Sequence, residues 1–196
     1  MRWLFRSLFG ASLALGAATL PLGHGGGDAH AAVSIEMSLD ELVGYSARVV
    51  VAQPVERKSR WEEVGGGKRI VTYTRLVVEE TVAGEARGEV WVRTLGGKVD
   101  KIGQQVSGEA TFTLGERTMV FLEEAAGTTV VTGMAQGHFR LKGKEGELVL
   151  AASPDVGSLL PRRGPVIAAR EMLIGKKLGV ATSAVRDAWK RRGNGK

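Results

Sequence analysis

No cysteine occurs among the 196 residues. That absence removes the disulfide framework on which many small secreted folds depend. It also removes Cys-type zinc sites, a cysteine nucleophile and the lipidated cysteine of an acyl anchor. Histidine is nearly as scarce: of three in the chain, His24 and His30 fall in the first 31 residues, which leaves His138. A lone histidine with no second histidine or acidic ligand cluster beside it is not a metal site, so no metal or other cofactor is expected. Phosphate-binding and dinucleotide-binding glycine motifs are missing, as is the G-x-S-x-G elbow of a hydrolase. Beyond the N-terminus, no segment approaches the length of a membrane-spanning helix.

Hydrophobic residues make up 43% of the chain, enough for one globular domain with appendages. The net charge of +6 is unevenly placed. Residues 32–155 carry 15 Lys and Arg against 18 Asp and Glu, whereas residues 156–196 carry 10 against 2. The centre is mildly acidic and the end strongly basic, so any attraction to an anionic partner belongs to the end.

Residues 1–31 have the tripartite form of an export signal. Arg2 and Arg6 precede an apolar Leu8–Leu22 stretch, small residues follow, and Ala29-His30-Ala31 supplies an A-x-A cleavage pattern. The rival reading is an uncleaved anchor, but the apolar stretch is short and rich in Gly and Ala. Cleavage before Ala32 and a periplasmic or secreted location are the expectation.

The centre of the chain is built from short β-branched and aromatic runs separated by glycines. Ala47–Gln53 reads as a central strand, followed by Pro54; Val55–Glu63 continues it into a Gly65-Gly66-Gly67 turn. In the next strand Ile70, Thr72, Thr74, Leu76 and Val78 share one face. Glu89–Thr94 follows, with Trp91 expected in the core, then Thr118–Glu123, Thr128–Met134, Gly137–Leu141 and Glu147–Ala151. His138 alternates with Phe139, so one of the two is expected to face outward. Because both faces of such strands are apolar, the pattern predicts a mainly β fold: a small closed or nearly closed antiparallel barrel over residues 32–155. Leu76, Val78, Val90, Val92, Val120 and Leu122 should be buried together.

Helical signals flank the strands. Ser38, with Glu41 three residues on, forms a capping-box pattern for a short helix whose Leu39, Leu42 and Val43 share one face, a lid for an open end of the barrel. After Ser153-Pro154 the composition changes, and residues 156–196 read as a basic, partly helical tail with helices at Val166–Leu173 and from a Thr182 cap through Trp189.

Two segments are candidates for contact with a partner. Gly96 to Gly115 carries five glycines, at 96, 97, 103, 108 and 115, and forms a broad loop with Val106 and Phe112 turned inward. Within it, Gly97, Lys98, Lys101, Gly103, Gln104 and Gln105 form a candidate binding loop. In the tail, Arg186, Trp189, Lys190 and Arg191 form a candidate anionic-surface contact. The basic cluster Arg57, Lys58, Arg60 beside Trp61 is offset by Glu56, Glu62 and Glu63, and export argues against a nucleic-acid partner.

The run SLDELV, ARVVVA, TYTRLVVEETVAG, GEVWVRT, LGG, IG, VSG, FTLGER and VFL resembles a secreted bacterial β-module, a domain of unknown function, across about residues 38–141. The resemblance implies an exported barrel of five or six strands and supplies no reaction. More loosely, the strand layout is similar to OB-like barrels, including the netrin/metalloproteinase-inhibitor superfold. Inhibitors of that group use an N-terminal cysteine and disulfides, so their mechanism is carried to no residue here.

No catalytic residues emerge. Ser107 and Ser158 lack a base, and Glu62/Glu63 or Glu79/Glu80 occupy adjacent strand positions that point to opposite faces. The expectation is a non-enzymatic binding or scaffold module whose partner is an extracytoplasmic protein or envelope polymer. The alternative is a hydrolase or protease-associated, inhibitor-like protein. Mass spectrometry of the protein from its host should place the N-terminus within a couple of residues of Ala32; an intact Met1 in the soluble cytoplasmic fraction would contradict the export reading.

Overall fold

The computed structural model describes residues 33–86, 88–162 and 164–194. The expected export signal lies outside them. After a three-residue strand β1 (Val33–Ile35), Ser38 starts helix α1 (Leu39–Tyr45) through a complete capping box. The Ser38 hydroxyl accepts from the Glu41 amide at 3.2 Å, and the Glu41 carboxylate accepts from the Ser38 amide at 2.9 Å. Two orphan amides of the first turn are thereby satisfied.

Strands β2 (Arg48–Val64) and β3 (Gly67–Gly84) form one long hairpin. Its tip, Gly65-Gly66, has φ of +62° and +80°, the primed two-residue turn that only glycine enters freely. Pro54 sits inside β2 rather than after it. The register slips between Pro54 and Glu56, beyond the last residue that β2 pairs with β7, so the missing N–H interrupts no ladder on that side. Strand β4 (Glu89–Leu95) runs beside β3. A small hairpin, β5 (Gly97–Val99) and β6 (Ile102–Gln104), folds out of the glycine-rich segment. Strands β7 (Thr118–Ala125), β8 (Thr128–Val131), β9 (His138–Lys142) and β10 (Val149–Ala152) complete the main sheet.

The sheet is large, mixed and partly closed into a ring. The order β10-β9-β7-β2-β3-β4-β8 closes because β8 also pairs with β7. Five strands thus circle in the order β2-β3-β4-β8-β7. All ring contacts are antiparallel except β4 to β8, a single parallel bridge from Arg93 to Val130.

Alternation along β2 and β7 sends side chains into two separate cores. Val50 and Ala52 join Val120, Leu122, Leu76, Val90 and Val92 inside the ring, with Val78 partly buried against them. Val49 and Val51 join Met119, Phe121, Phe139 and Leu150 in a second core on the opposite face. Helix α1 belongs to this second core through Leu39, Leu42 and Val43, instead of lying across an end of the ring as a lid. Each fully buried aliphatic or aromatic side chain contributes about 1.5–3 kcal/mol.

The C-terminal segment covers that second core. Strand β11 (Ser158–Leu160) pairs in parallel with β1, and helices α2 (Ala169–Leu173) and α3 (Leu178–Asn194) follow. Leu173, Ala181, Val185 and Ala188 are all buried among the strand residues. Helix α3 starts four residues before the expected Thr182 cap. The Thr182 hydroxyl donates to the Gly179 carbonyl at 3.0 Å, the back-bond of a threonine inside a helix, whereas a cap would accept from a following amide. The start of α2 is at Ala169 rather than Val166, because Val166 and Ile167 lead into an extended bridge between Ala168 and Ser38.

Three other expectations change. Trp91 stands half-buried on the outside of the ring, opposite Arg75, with the Lys58 ammonium 5.4 Å from its ring centre; Val90 and Val92 take the inward positions. His138 and Phe139 are both 2% exposed, since both faces of β9 are covered. The glycine segment is not wholly loop, though Phe112 does turn inward as expected. If the C-terminal helices are part of the core, Leu173→Ala should lower unfolding free energy by about 2–5 kcal/mol in urea titration; an unchanged midpoint would make residues 156–196 an appendage.

Candidate functional site

A polar cavity of about 320 Å³ opens beside the glycine-rich segment, between it and the inner faces of β2, β3 and β4. The strands contribute Arg57, Thr72, Thr74 and Thr94, successive inward positions of neighbouring strands. The segment contributes Gly97, Gln104, Gln105 and Glu109, and Asp155 reaches in from beyond β10.

Close approach of the segment to the sheet needs glycine at position 97. Its φ is +127°, and an added Cβ would stand 2.7 Å from the Ser59 hydroxyl and collide with the Thr72 side chain. Thr72 in turn donates to the Gly96 carbonyl at 2.6 Å and shares a 2.8 Å hydrogen bond with Ser59. The Gln104 side-chain oxygen accepts from the Ile70 amide at 2.7 Å, and the Ile70 carbonyl accepts from Gly96 at the same distance. These bonds fix the β5–β6 hairpin on the edge of the hairpin β2–β3.

Of the candidate binding loop, Gly97, Gln104 and Gln105 line the cavity. Lys98, Lys101 and Gly103 lie in the same hairpin but do not line it; both lysines are exposed. Gln104 is committed to the backbone, whereas Gln105 is exposed at the mouth. Sequence reading missed Glu109, Asp155 and the three threonines, because threonine in a strand is ordinarily read as β-propensity.

The carboxyl groups carry the electrostatic interest. Burial pushes Glu109 up to about 7, against the pull of the Leu95 amide, Arg93 and the Ala110 amide. Glu109 also borders a second opening shared with Arg93 and Glu123, and burial raises the Glu123 carboxyl too. Asp155 Oδ2 is buried and has no hydrogen-bond partner among the described residues, an open acceptor facing this region. Arg57 stands at the rim, its guanidinium 3.5 Å from the Phe112 carbonyl.

Phe112 is the wall between this cavity and another. Its ring lies 4.8 Å from the His138 ring at 59°, and His138 lines a cavity of about 280 Å³ near α2. There the His138 Nδ1 and the Ser153 hydroxyl share a 3.0 Å hydrogen bond, both groups buried. Burial pushes His138 down to about 4, helped by Arg140 and opposed by Glu116, so the imidazole is neutral at physiological pH. Among the described residues no group of three His, Cys, Asp or Glu converges to hold a metal ion.

The candidate tail residues are drawn largely into the fold. Arg186 pairs with Glu80 at 2.7 Å and Arg191 with Asp40 at 2.6 Å, while Lys190 stands 3.8 Å from Asp187. Trp189 packs against the second core, and the neighbouring Arg192 guanidinium lies 4.9 Å from its ring. Arg192 also donates to the Val43 and Ser46 carbonyls, capping the C-terminal end of α1. Lys58 and Arg60 are likewise engaged, with Glu56 at 2.6 Å and Glu62 at 2.8 Å.

No known protein family, curated protein or solved structure matches this chain. The geometry of its own cavities therefore carries the functional reading.

Glu109 and His138 oppose each other in pH. A carboxyl raised from its ordinary 4.5 to about 7 contributes stability below about pH 4.5 that is lost as pH rises through 7. A histidine lowered from 6.5 to about 4 contributes stability above pH 6.5 that is lost as pH falls through 4. Each effect amounts to about 3 kcal/mol at most. The native protein should show a shallow stability profile between pH 4.5 and 7. Glu109→Gln should become steeply acid-sensitive over that window, which denaturant titrations at half-unit pH steps would reveal; an unaltered profile would refute the assignment.

Proposed function

We propose that this chain is an exported, non-enzymatic binding module, built on an OB-like antiparallel barrel, whose polar cavity takes a hydroxyl-rich ligand such as a segment of an envelope polymer. The observation that carries the reading is the convergence of Thr74, Thr94, Gln105, Arg57 and the partnerless Asp155 oxygen on one opening, beside a Thr72 already committed to Gly96 and Ser59. Hydroxyls and amides that both donate and accept, held on a rigid sheet, suit a ligand that does the same. The five-strand circuit with its parallel β4–β8 closure supports the OB-like description. The export half of the reading rests on the N-terminal pattern alone.

The alternative of a hydrolase draws on one observation, the His138–Ser153 pair. That pair is buried in the other cavity, and among the described residues no carboxylate hydrogen-bonds the imidazole to complete a relay. The binding reading is therefore preferred.

Immobilised protein should capture soluble polysaccharide from an envelope extract of its host. Thr74→Val combined with Gln105→Ala should reduce that capture about tenfold or more, the loss of two hydrogen bonds, while leaving the thermal midpoint nearly unchanged. Capture of the same material by the double variant at full strength would remove the cavity from the reading. Turnover of a serine-hydrolase ester substrate that disappears with Ser153→Ala would replace it with the hydrolase.

A further inference from the structure

The second cavity has a different chemistry and is separated from the first by Phe112. Its walls are mostly apolar: Met37, Phe139, Val156, Leu159 and Ile174. Its polar lining side chains besides Arg170 are the neutral, buried His138–Ser153 pair, joined through Nδ1, and Gln136, which is bonded to the Met37 amide and the Ile35 carbonyl. An interior of this kind takes an apolar group and rejects a charged one.

The mouth is the reverse. Arg170 lines it, with half of its side chain exposed and its nearest carboxylate, Glu36, at 3.6 Å. That distance is a loose ion pair compared with the 2.6–2.8 Å pairs of Arg186 and Arg191. Four residues along from Arg170, Ile174 is exposed at the rim, and Lys176 and Lys177 follow, both exposed. Neither lysine has an ion-pair partner among the described residues. On the other side of the mouth, Leu159 of the lining is followed by Leu160, which pairs with Ile35; these two are 55% and 61% exposed. Apolar groups left in water around a largely apolar cavity, with a half-exposed, loosely paired arginine at its mouth, call for a ligand with an apolar body and an anionic end.

We propose that this cavity binds a single-chain anionic amphiphile, a free fatty acid, with its chain against Met37, Phe139 and Val156 and its carboxylate held at the mouth by Arg170. The tail's basic charge acquires a purpose here that Arg186 and Arg191 do not serve. Those two arginines are committed to Glu80 and Asp40, whereas Arg170 lines the opening and has only the loose partner Glu36. The site is independent of the polar cavity, and its failure would leave the binding-module reading untouched.

The test is an NMR titration of isotope-labelled protein with decanoate below its micelle concentration, with decanol and with phosphatidylglycerol vesicles in parallel. Saturable decanoate shifts centred on Phe139, Ala152–Gly157 and Ile174 are expected. Arg170→Gln should weaken decanoate about fivefold, the scale of one partly exposed ion pair, and leave decanol unaffected. Because the titration of the unaltered protein maps the site, the result does not depend on the variant folding. The proposal is overturned by an absence of saturable shifts or by shifts centred on Gly97–Glu109. Decanoate binding that is indifferent to Arg170→Gln, or response to vesicles alone, would also overturn it.

Discussion

Strands β2 and β7 are apolar on both faces, and that constraint shapes everything around them. Val49 through Ala52 and Met119 through Leu122 are all essentially inaccessible to water, although their side chains alternate in direction. A sheet of this kind needs two covers. Curling the neighbouring strands β3, β4 and β8 into a ring supplies one, with the inner core of Leu76, Val90 and Val92. The outer face needs a separate cover, and α1, α2, α3, β9 and β10 provide it. Leaving either face open would expose side chains whose burial contributes about 1.5–3 kcal/mol apiece.

The basic segment follows from the same requirement. Its helices carry the apolar residues that close the outer face, and several of its cations pair with acids of the preceding domain: Arg186 with Glu80, Arg191 with Asp40, Arg162 with Glu41. The charge asymmetry between the two parts of the chain is thus partly an internal complementarity. Exposed ion pairs contribute little individually, so their service is mainly to orient helices already held by Leu173 and Val185. Both cavities arise where the covers meet the sheet imperfectly, and Phe112 with His138 keeps them apart. One is polar because ring strands β3 and β4 present threonines at Thr72, Thr74 and Thr94, beyond the reach of the apolar core.

Much of this was legible beforehand. Period-two alternation located nearly every strand of the main sheet, and the capping box located α1. What could not be read was which apolar residues pair with which, because alternation gives faces but not partners. Trp91 illustrates the limit: its strand was evident, but its outward direction depended on Val90 and Val92 facing the ring. Ser153 illustrates another. It stands 15 residues from His138 and only the pairing of β9 with β10 brings their strands together. Glycine density marks the segment that runs beside the polar cavity, since Gly97 is where the backbone must pass close to Thr72. The acidic side of that cavity left no local signal, because Glu109 and Asp155 are ordinary residues made unusual by burial.

If β2 and β7 are held by both covers at once, the outer helices cannot open without exposing the strands beneath. Native-state hydrogen exchange followed by mass spectrometry or NMR measures this directly. The account predicts that amides of Val49–Val51, Met119–Phe121 and Ala181–Ala188 exchange through one common opening, with the same free energy and the same dependence on denaturant. Exchange of the α3 amides through a separate, lower-energy opening, with the strands still protected, would contradict it.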